Sequence, residues 1–278
     1  MAETIDAHHH LWRYSAAEYG WIDDAMRGLR RDFLPEDLTS VMATAGVNGA
    51  VAVQARQTLE ETRWLLNLAG ECEAIRGVVG WAPIADVGFL PVLDEFRDEP
   101  KLKGLRHVIQ AEPDENYILR EDFNRGIRAL KGGGLVYDIL IYERLLPQTI
   151  EFVDQHPNQV LVLDHVAKPR IRAGELEPWA LRVQELARRE NVWCKVSGMV
   201  TEADWNKWSI GKLRPYLDVV VEAFGPGRLM AGSDWPVCLV ACGYEQWFDV
   251  LREYFAGFSE AERASIFGLC ATEVYRLL

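Results

Sequence analysis

Asp6-Ala7-His8-His9-His10 closes the first apolar segment of the chain, and its reading decides the fold. Side chains two apart on a strand share a face, so His8 and His10 can point together into a cavity while His9 points away. Leu11-Trp12 continues straight into hydrophobic sequence, whereas an expression tag is longer and is followed by a linker. His165 and Asp234 each close a later apolar segment. Three imidazoles and a carboxylate, at strand ends so far apart in the chain, point to one site assembled by a barrel.

Outward from that stretch, short β-branched runs alternate with helical patterns. Strands are read at residues 4–7, 49–54, 78–81, 102–108, 135–140, 160–164, 192–196 and 229–231. Several are continuous apolar runs, as strands buried on both faces require. Thr58 and Glu61 fit a capping box opening a helix over 59–74, with Thr62, Leu65, Leu66 and Ala69 on one face. Pro35 suits a first helical turn, and 145–155, 179–189 and 213–224 read as further helices. Ser259 and Glu262 form a second capping box, starting a helical tail that runs to Leu278. Strands alternating with helices predict parallel βα units. Eight such units in 278 residues fit an α/β (β/α)8 barrel, which typically needs about 250. No Gly-x-Gly-x-x-Gly follows the first strand, which argues against a dinucleotide fold. With no linker or domain boundary, a single barrel domain over 1–278 is expected.

The formal charge of −12 is spread along the chain without a basic block, so nucleic acid and anionic membrane are not expected partners. There is no apolar run long enough to span a bilayer, and Met1-Ala2-Glu3-Thr4-Ile5 does not resemble a signal peptide. Five cysteines, odd in number and without a CxxC pair, read as reduced thiols of a cytoplasmic protein. The spacing of Cys238 and Cys242 disfavours them as metal ligands.

In such a barrel the strand C-termini face the active site. In order they offer His8 and His10, Gln54 and Arg56, Trp81, Arg106 and His107, Tyr137 and Asp138, His165, Lys195 and Asp234. This is too polar a set for core packing alone.

Asp6-Ala7-His8-His9-His10-Leu11-Trp12, Lys103-Gly104-Leu105-Arg106-His107, Leu163-Asp164-His165-Val166-Ala167-Lys168-Pro169, Lys195-Val196-Ser197-Gly198 and Gly232-Ser233-Asp234-Trp235-Pro236 together resemble the amidohydrolase superfamily. More narrowly they resemble its sugar-lactonase branch, which takes in L-fuconolactonases, L-rhamnonolactonases and 2-pyrone-4,6-dicarboxylate lactonases. The resemblance extends to the terminal Phe267-Gly268, Ala271 and Tyr275. It implies a (β/α)8 barrel that hydrolyses a small-molecule sugar lactone to the open-chain acid.

Binuclear members carry a lysine or glutamate on strand four and a histidine on strand five. Here those strands offer Arg106 and His107, then Tyr137 and Asp138, so a bridged two-metal centre is not expected. His8, His10, His165 and Asp234 could hold one divalent ion, Zn²⁺ or Mn²⁺. The branch also includes metal-independent members, and the sequence leaves both routes open.

The expected roles follow. Asp234, a carboxylate with an ordinary pKa of about 4, is the general base. His8, His10 and His165 hold the ion or donate to the developing oxyanion. Arg106 and Lys195 supply positive charge to the substrate. His107, Arg56, Gln54, Trp12 and Trp21 are candidates for sugar contacts, with Tyr14, Tyr19, Trp205 and Trp208 as further aromatic surfaces. The alternatives are a metal-dependent decarboxylase of an aromatic or unsaturated acid on the same barrel, or a non-catalytic barrel. A homo-oligomer is left open.

Overall fold

Eight strands pair in chain order, every neighbouring pair parallel, in the computed structural model, which describes residues 3–277. They are β1 (Ile5–His9), β2 (Gly49–Val53), β3 (Ile75–Gly80), β4 (Leu102–His107), β5 (Val136–Ile139), β6 (Leu161–Leu163), β7 (Val192–Val196) and β8 (Leu229–Ala231). Between and after them lie α1 (Pro35–Ala45), α2 (Leu59–Glu71), α3 (Phe89–Glu95), α4 (Glu121–Gly133), α5 (Leu146–Gln155), α6 (Trp179–Ala187), α7 (Ile210–Phe224), α8 (Tyr244–Tyr254), α9 (Glu260–Ala264) and α10 (Cys270–Val274). This is the expected (β/α)8 barrel. No helix among the described residues is long and apolar enough to cross a membrane.

The circle closes without a full ladder between β8 and β1. The Asp234 N–H donates to the His8 carbonyl at 2.8 Å, and the His10 N–H donates to the Trp235 carbonyl at 2.6 Å. The segment just past β8 therefore acts as the missing edge.

The helix signals hold with one change. Pro35 opens α1, Ser259 and Glu262 cap each other reciprocally, and the Thr58 side chain accepts from the Glu61 N–H. The box expected at Thr58 is only half formed. The Glu61 carboxylate turns away to accept from the Ala55 and Arg56 amides, at 3.0 and 2.7 Å. The sequence reading did not anticipate α3, α4 and α8. Leu278, where the helical tail was expected to end, lies outside the described residues.

Ile5, Ala7, Val51, Val53, Val79, Val136, Val162 and Met230 form an apolar cluster with Val274, Tyr275 and Leu277 of the tail. The tail enters at the N-terminal end of the strands. A Cβ on Gly268 would fall 2.0 Å from the Glu3 carbonyl oxygen, so only glycine permits this approach to the start of β1. A π-turn, Ser265–Leu269, joins α9 to α10 and bends the chain toward this floor.

Strict alternation would place His8 on the face of Asp6, opposite Ile5 and Ala7. The structure departs from that pattern. The β1–β2 register slips between Asp6, opposite Ala50, and His9, opposite Ala52. Such a bulge re-aims side chains. Asp6 stays outside, where its carboxylate accepts from the Ser233 hydroxyl at 2.6 Å and the Tyr244 hydroxyl at 3.1 Å. His8 instead turns inward toward Arg106 of β4, Asp164 just past β6 and Lys195 of β7.

Candidate active site

His8, His10 and Asp234 meet at the C-terminal mouth of the barrel, all three buried. The His10 Nδ1 is 2.8 Å from the Val53 carbonyl oxygen. A carbonyl can only accept, so Nδ1 carries a proton and Nε2 is the atom left to face the site. That Nε2 lies 3.2 Å from His8 Nε2 and 3.4 Å from Asp234 Oδ1. An unprotonated His10 Nε2 and the Asp234 carboxylate are two acceptors 3.4 Å apart in a buried site, so the arrangement calls for a proton or a cation between them. The three ligand atoms lie within 4.8 Å of one another, which suits one divalent ion. His9 is buried outside this set, and its burial pushes the ring pKa down to about 3.

Asp234 has a left-handed φ of +56°, held by the hydrogen bond its N–H donates to the His8 carbonyl. Burial pushes its carboxyl up, but His165, His10 and Lys168 outweigh that and hold it below the ordinary carboxylate value. The group is therefore ionised at neutral pH. Its near neighbour Asp6 shows the reverse balance. Burial raises Asp6 to about 6 despite hydrogen bonds from Ser233, His8 and Tyr244.

His165 follows β6 on an unusual turn. His165, Val166, Ala167 and Lys168 have φ values of +52°, +49°, +60° and +48°, a run of left-handed residues without a glycine. The Trp179 indole donates to the Val166 carbonyl at 2.8 Å and pins the turn. The His165 Nδ1 is 2.9 Å from Ser197 Oγ, and its Nε2 lies 3.8 Å from Asp234 Oδ1. Burial lowers its pKa to about 4, against Asp234 and Asp164, so the ring is neutral at pH 7. Gly198 leaves it room: a Cβ there would sit 2.6 Å from His165 Nδ1.

Beneath the histidines lies a layer of paired charges. The Arg106 Nη1 donates to Asp164 Oδ2 at 2.9 Å and lies 3.4 Å from His8 Nε2. Gln54 locks Arg106 reciprocally, donating to its carbonyl at 3.2 Å while its own carbonyl accepts from the guanidinium. The Lys195 Nζ bonds Asp138 and lies 3.1 Å from Asp164 Oδ1 and 3.2 Å from His8 Nδ1. Burial raises Asp164, but Lys195, His8 and Arg106 bring it well below its ordinary value. Two cations thus face two carboxylates in the barrel interior.

The residues expected to meet substrate divide on this geometry. Lys195 is fully buried behind His8, so its charge reaches the site through His8 rather than by touching a ligand. Trp12 is also fully buried, donating to the Arg31 carbonyl at 2.9 Å and packing behind His10. His107 takes the Trp81 indole on one nitrogen at 3.3 Å and Glu112 on the other at 2.6 Å, and it stacks on Tyr117. None of these three presents a free polar group to the mouth. Trp21 is 44% exposed and stands edge-on to Trp12, while Arg56 pairs with Glu18 in the first loop.

Sequence reasoning passed over Asp164, Lys168 and Glu202. Asp164 and Lys168 stood in view, inside the quoted Leu163–Pro169 run, but nothing in spacing gave them roles. Lys168 lies 3.9 Å from Glu202 and depresses both Asp234 and His165. Glu202 carried no local signal at all.

Comparison with known proteins identifies the family and the fold. The amidohydrolase family model matches residues 5–277. An L-fucono-1,5-lactonase of Burkholderia multivorans is 39% identical, over 99% of this chain and 97% of that protein. An L-fucono-1,5-lactonase of Burkholderia ambifaria is 33% identical, over 100% of this chain and 97% of its own length. A crystal structure of a Burkholderia multivorans amidohydrolase with bound zinc superposes with a TM-score of 0.95 at 39% identity, each chain covered in full.

Proposed function

The chain belongs to the amidohydrolase family, and from that premise we propose that it hydrolyses a sugar lactone of the L-fucono-1,5-lactone type to the open-chain aldonic acid. The full-length relatives named as lactonases support the substrate class. One observation carries the chemistry: His8 Nε2, His10 Nε2 and Asp234 Oδ1 converge in a buried cluster that calls for a proton or a cation among them.

Asp234 takes the proton from water as that water attacks the lactone carbonyl. Its lowered pKa keeps it in the accepting form. As the ring opens, the proton passes from Asp234 to the departing alkoxide, which becomes the sugar hydroxyl. His165 is neutral and fixed by Ser197, so it serves as a hydrogen-bonding group rather than a cation. Arg106 beside His8 and Lys168 near Asp234 provide fixed positive charge to the developing oxyanion, and such charge is most effective where water is scarce.

His8, His10 and Asp234, with His165 at the rim, would hold one divalent ion, Zn²⁺ or Mn²⁺. Such an ion polarises a carbonyl and makes bound water more acidic. The Arg106 guanidinium, 3.4 Å from His8 Nε2, opposes a second positive charge and weakens that hold.

The test is a panel of aldonolactones followed by acid release, with and without chelator. Hydrolysis of L-fucono-1,5-lactone well above the uncatalysed rate is expected. No acceleration of any aldonolactone, with or without added Zn²⁺ or Mn²⁺, would overturn the reading.

A further inference from the structure

The residue that follows α10 reaches the polar layer from below. Tyr275 is 1% exposed, and its ring is part of the apolar floor with Val51, Val136, Val162 and Leu277. Its hydroxyl breaks that apolar character. It lies 2.8 Å from Asp138 Oδ1 and 3.0 Å from Asp138 Oδ2, so it donates to the carboxylate. The ring also lies under the Lys195 ammonium, 5.3 Å from Nζ to the ring centroid.

We propose that Tyr275 is a positioning residue for the active site, holding Asp138 and thereby the Lys195 ammonium in the place from which it orients His8. The proposal rests on the lactonase reading for its kinetic consequence, but its geometry does not. Lys195 Nζ bonds Asp138 and lies beside Asp164 Oδ1 and His8 Nδ1, and Asp164 Oδ1 is itself 3.3 Å from His8 Nδ1, so the ammonium and that carboxylate together set the ring. Of these, Asp138 has a further partner outside the charge layer, and that partner is Tyr275. Without the hydroxyl, Asp138 keeps only Lys195, and the ammonium is drawn toward the floor. Its contacts with Asp164 Oδ1 and His8 Nδ1 then lengthen, and with them goes the ring orientation that aims Nε2 at His10 and Asp234. A buried network of this kind is strong only when each member is satisfied.

A merely structural tyrosine would satisfy Asp138 and fill the floor without affecting turnover. Tyr275→Phe separates the two roles, because it keeps the ring and removes only the hydroxyl. We expect kcat for lactone hydrolysis to fall about tenfold or more, with KM within about twofold and a melting temperature close to wild type. Val274→Ala loosens the same floor without touching the polar chain, and should lower the melting temperature while leaving kcat unchanged. A crystal structure of Tyr275→Phe should show Lys195 Nζ beyond hydrogen-bond distance of His8 Nδ1. Wild-type kcat in Tyr275→Phe, or a fall in kcat that simply tracks melting temperature across both variants, would overturn the proposal. If the wild-type protein hydrolyses no lactone, the functional reading fails, but the Lys195 position in the variant still decides this one.

Discussion

The amide of Asp234 donates to the carbonyl of His8 at 2.8 Å, and the same bond completes the barrel between β8 and β1. The proposed base and the first histidine of the donor set are therefore fixed to one another through backbone rather than through side-chain packing. Backbone geometry of this sort survives changes of side chain, which makes substitutions at Asp234 readable as chemistry.

Asp234→Asn keeps that bond and removes the accepting carboxylate. General-base contributions run to about 10²–10⁴-fold, so kcat should fall by at least about 100-fold while the melting temperature stays near wild type. A kcat within tenfold of wild type would show that another group takes the proton.

His10→Ala should weaken Zn²⁺ binding by at least about tenfold, since it removes one of three convergent ligand atoms. Titration calorimetry on protein stripped of metal measures this directly. Activity that is complete at negligible metal content would instead favour the route in which a proton lies between His10 and Asp234.

Glu61 should make stability pH-dependent. Burial pushes its carboxyl up to about 7 from the ordinary 4.5, against the Arg56 and Ala55 amides and the Arg56 charge. The folded state thus keeps a proton that the unfolded chain has released, and stability falls as pH rises between those two values before levelling off. Melting temperatures at pH 5 and pH 8 should differ less in Glu61→Gln than in wild type. Equal differences in the two proteins would exclude Glu61 as the source.

Gly198→Ala should damage both fold and rate. The residue has φ +62°, and a Cβ would sit 2.6 Å from the His165 ring. Left-handed alanine and the displaced imidazole together cost on the order of 2–3 kcal/mol. A melting temperature and kcat both equal to wild type would mean that the turn after β7 yields freely.

Much of this fold was legible because its signals are local. Runs such as Leu161–Leu163 read as doubly buried strands once they alternate with helical patterns, and their polar ends marked the mouth of the site. His8, His10, His165 and Asp234 do come together there. What could not be read depends on closure. The register slip that turns His8 inward while Asp6 stays outside leaves no trace in composition. That Lys195 lies behind His8, and Trp12 behind His10, follows from how many strands close the circle and at what stagger. The helices α3, α4 and α8 were missed although Phe123, Ile127 and Leu130 are spaced as an apolar helical face.

The left-handed run from His165 to Lys168 has a consequence for how this protein can change. Each such residue costs roughly 1–2 kcal/mol relative to a right-handed turn, and Val166 and Ala167 are buried with no glycine to relieve them. Selection for heat resistance would find easy gains there, for instance through glycine at 167. Those gains would slacken the support of His165, so thermostability and turnover should trade against one another at this turn sooner than anywhere in the surrounding helices.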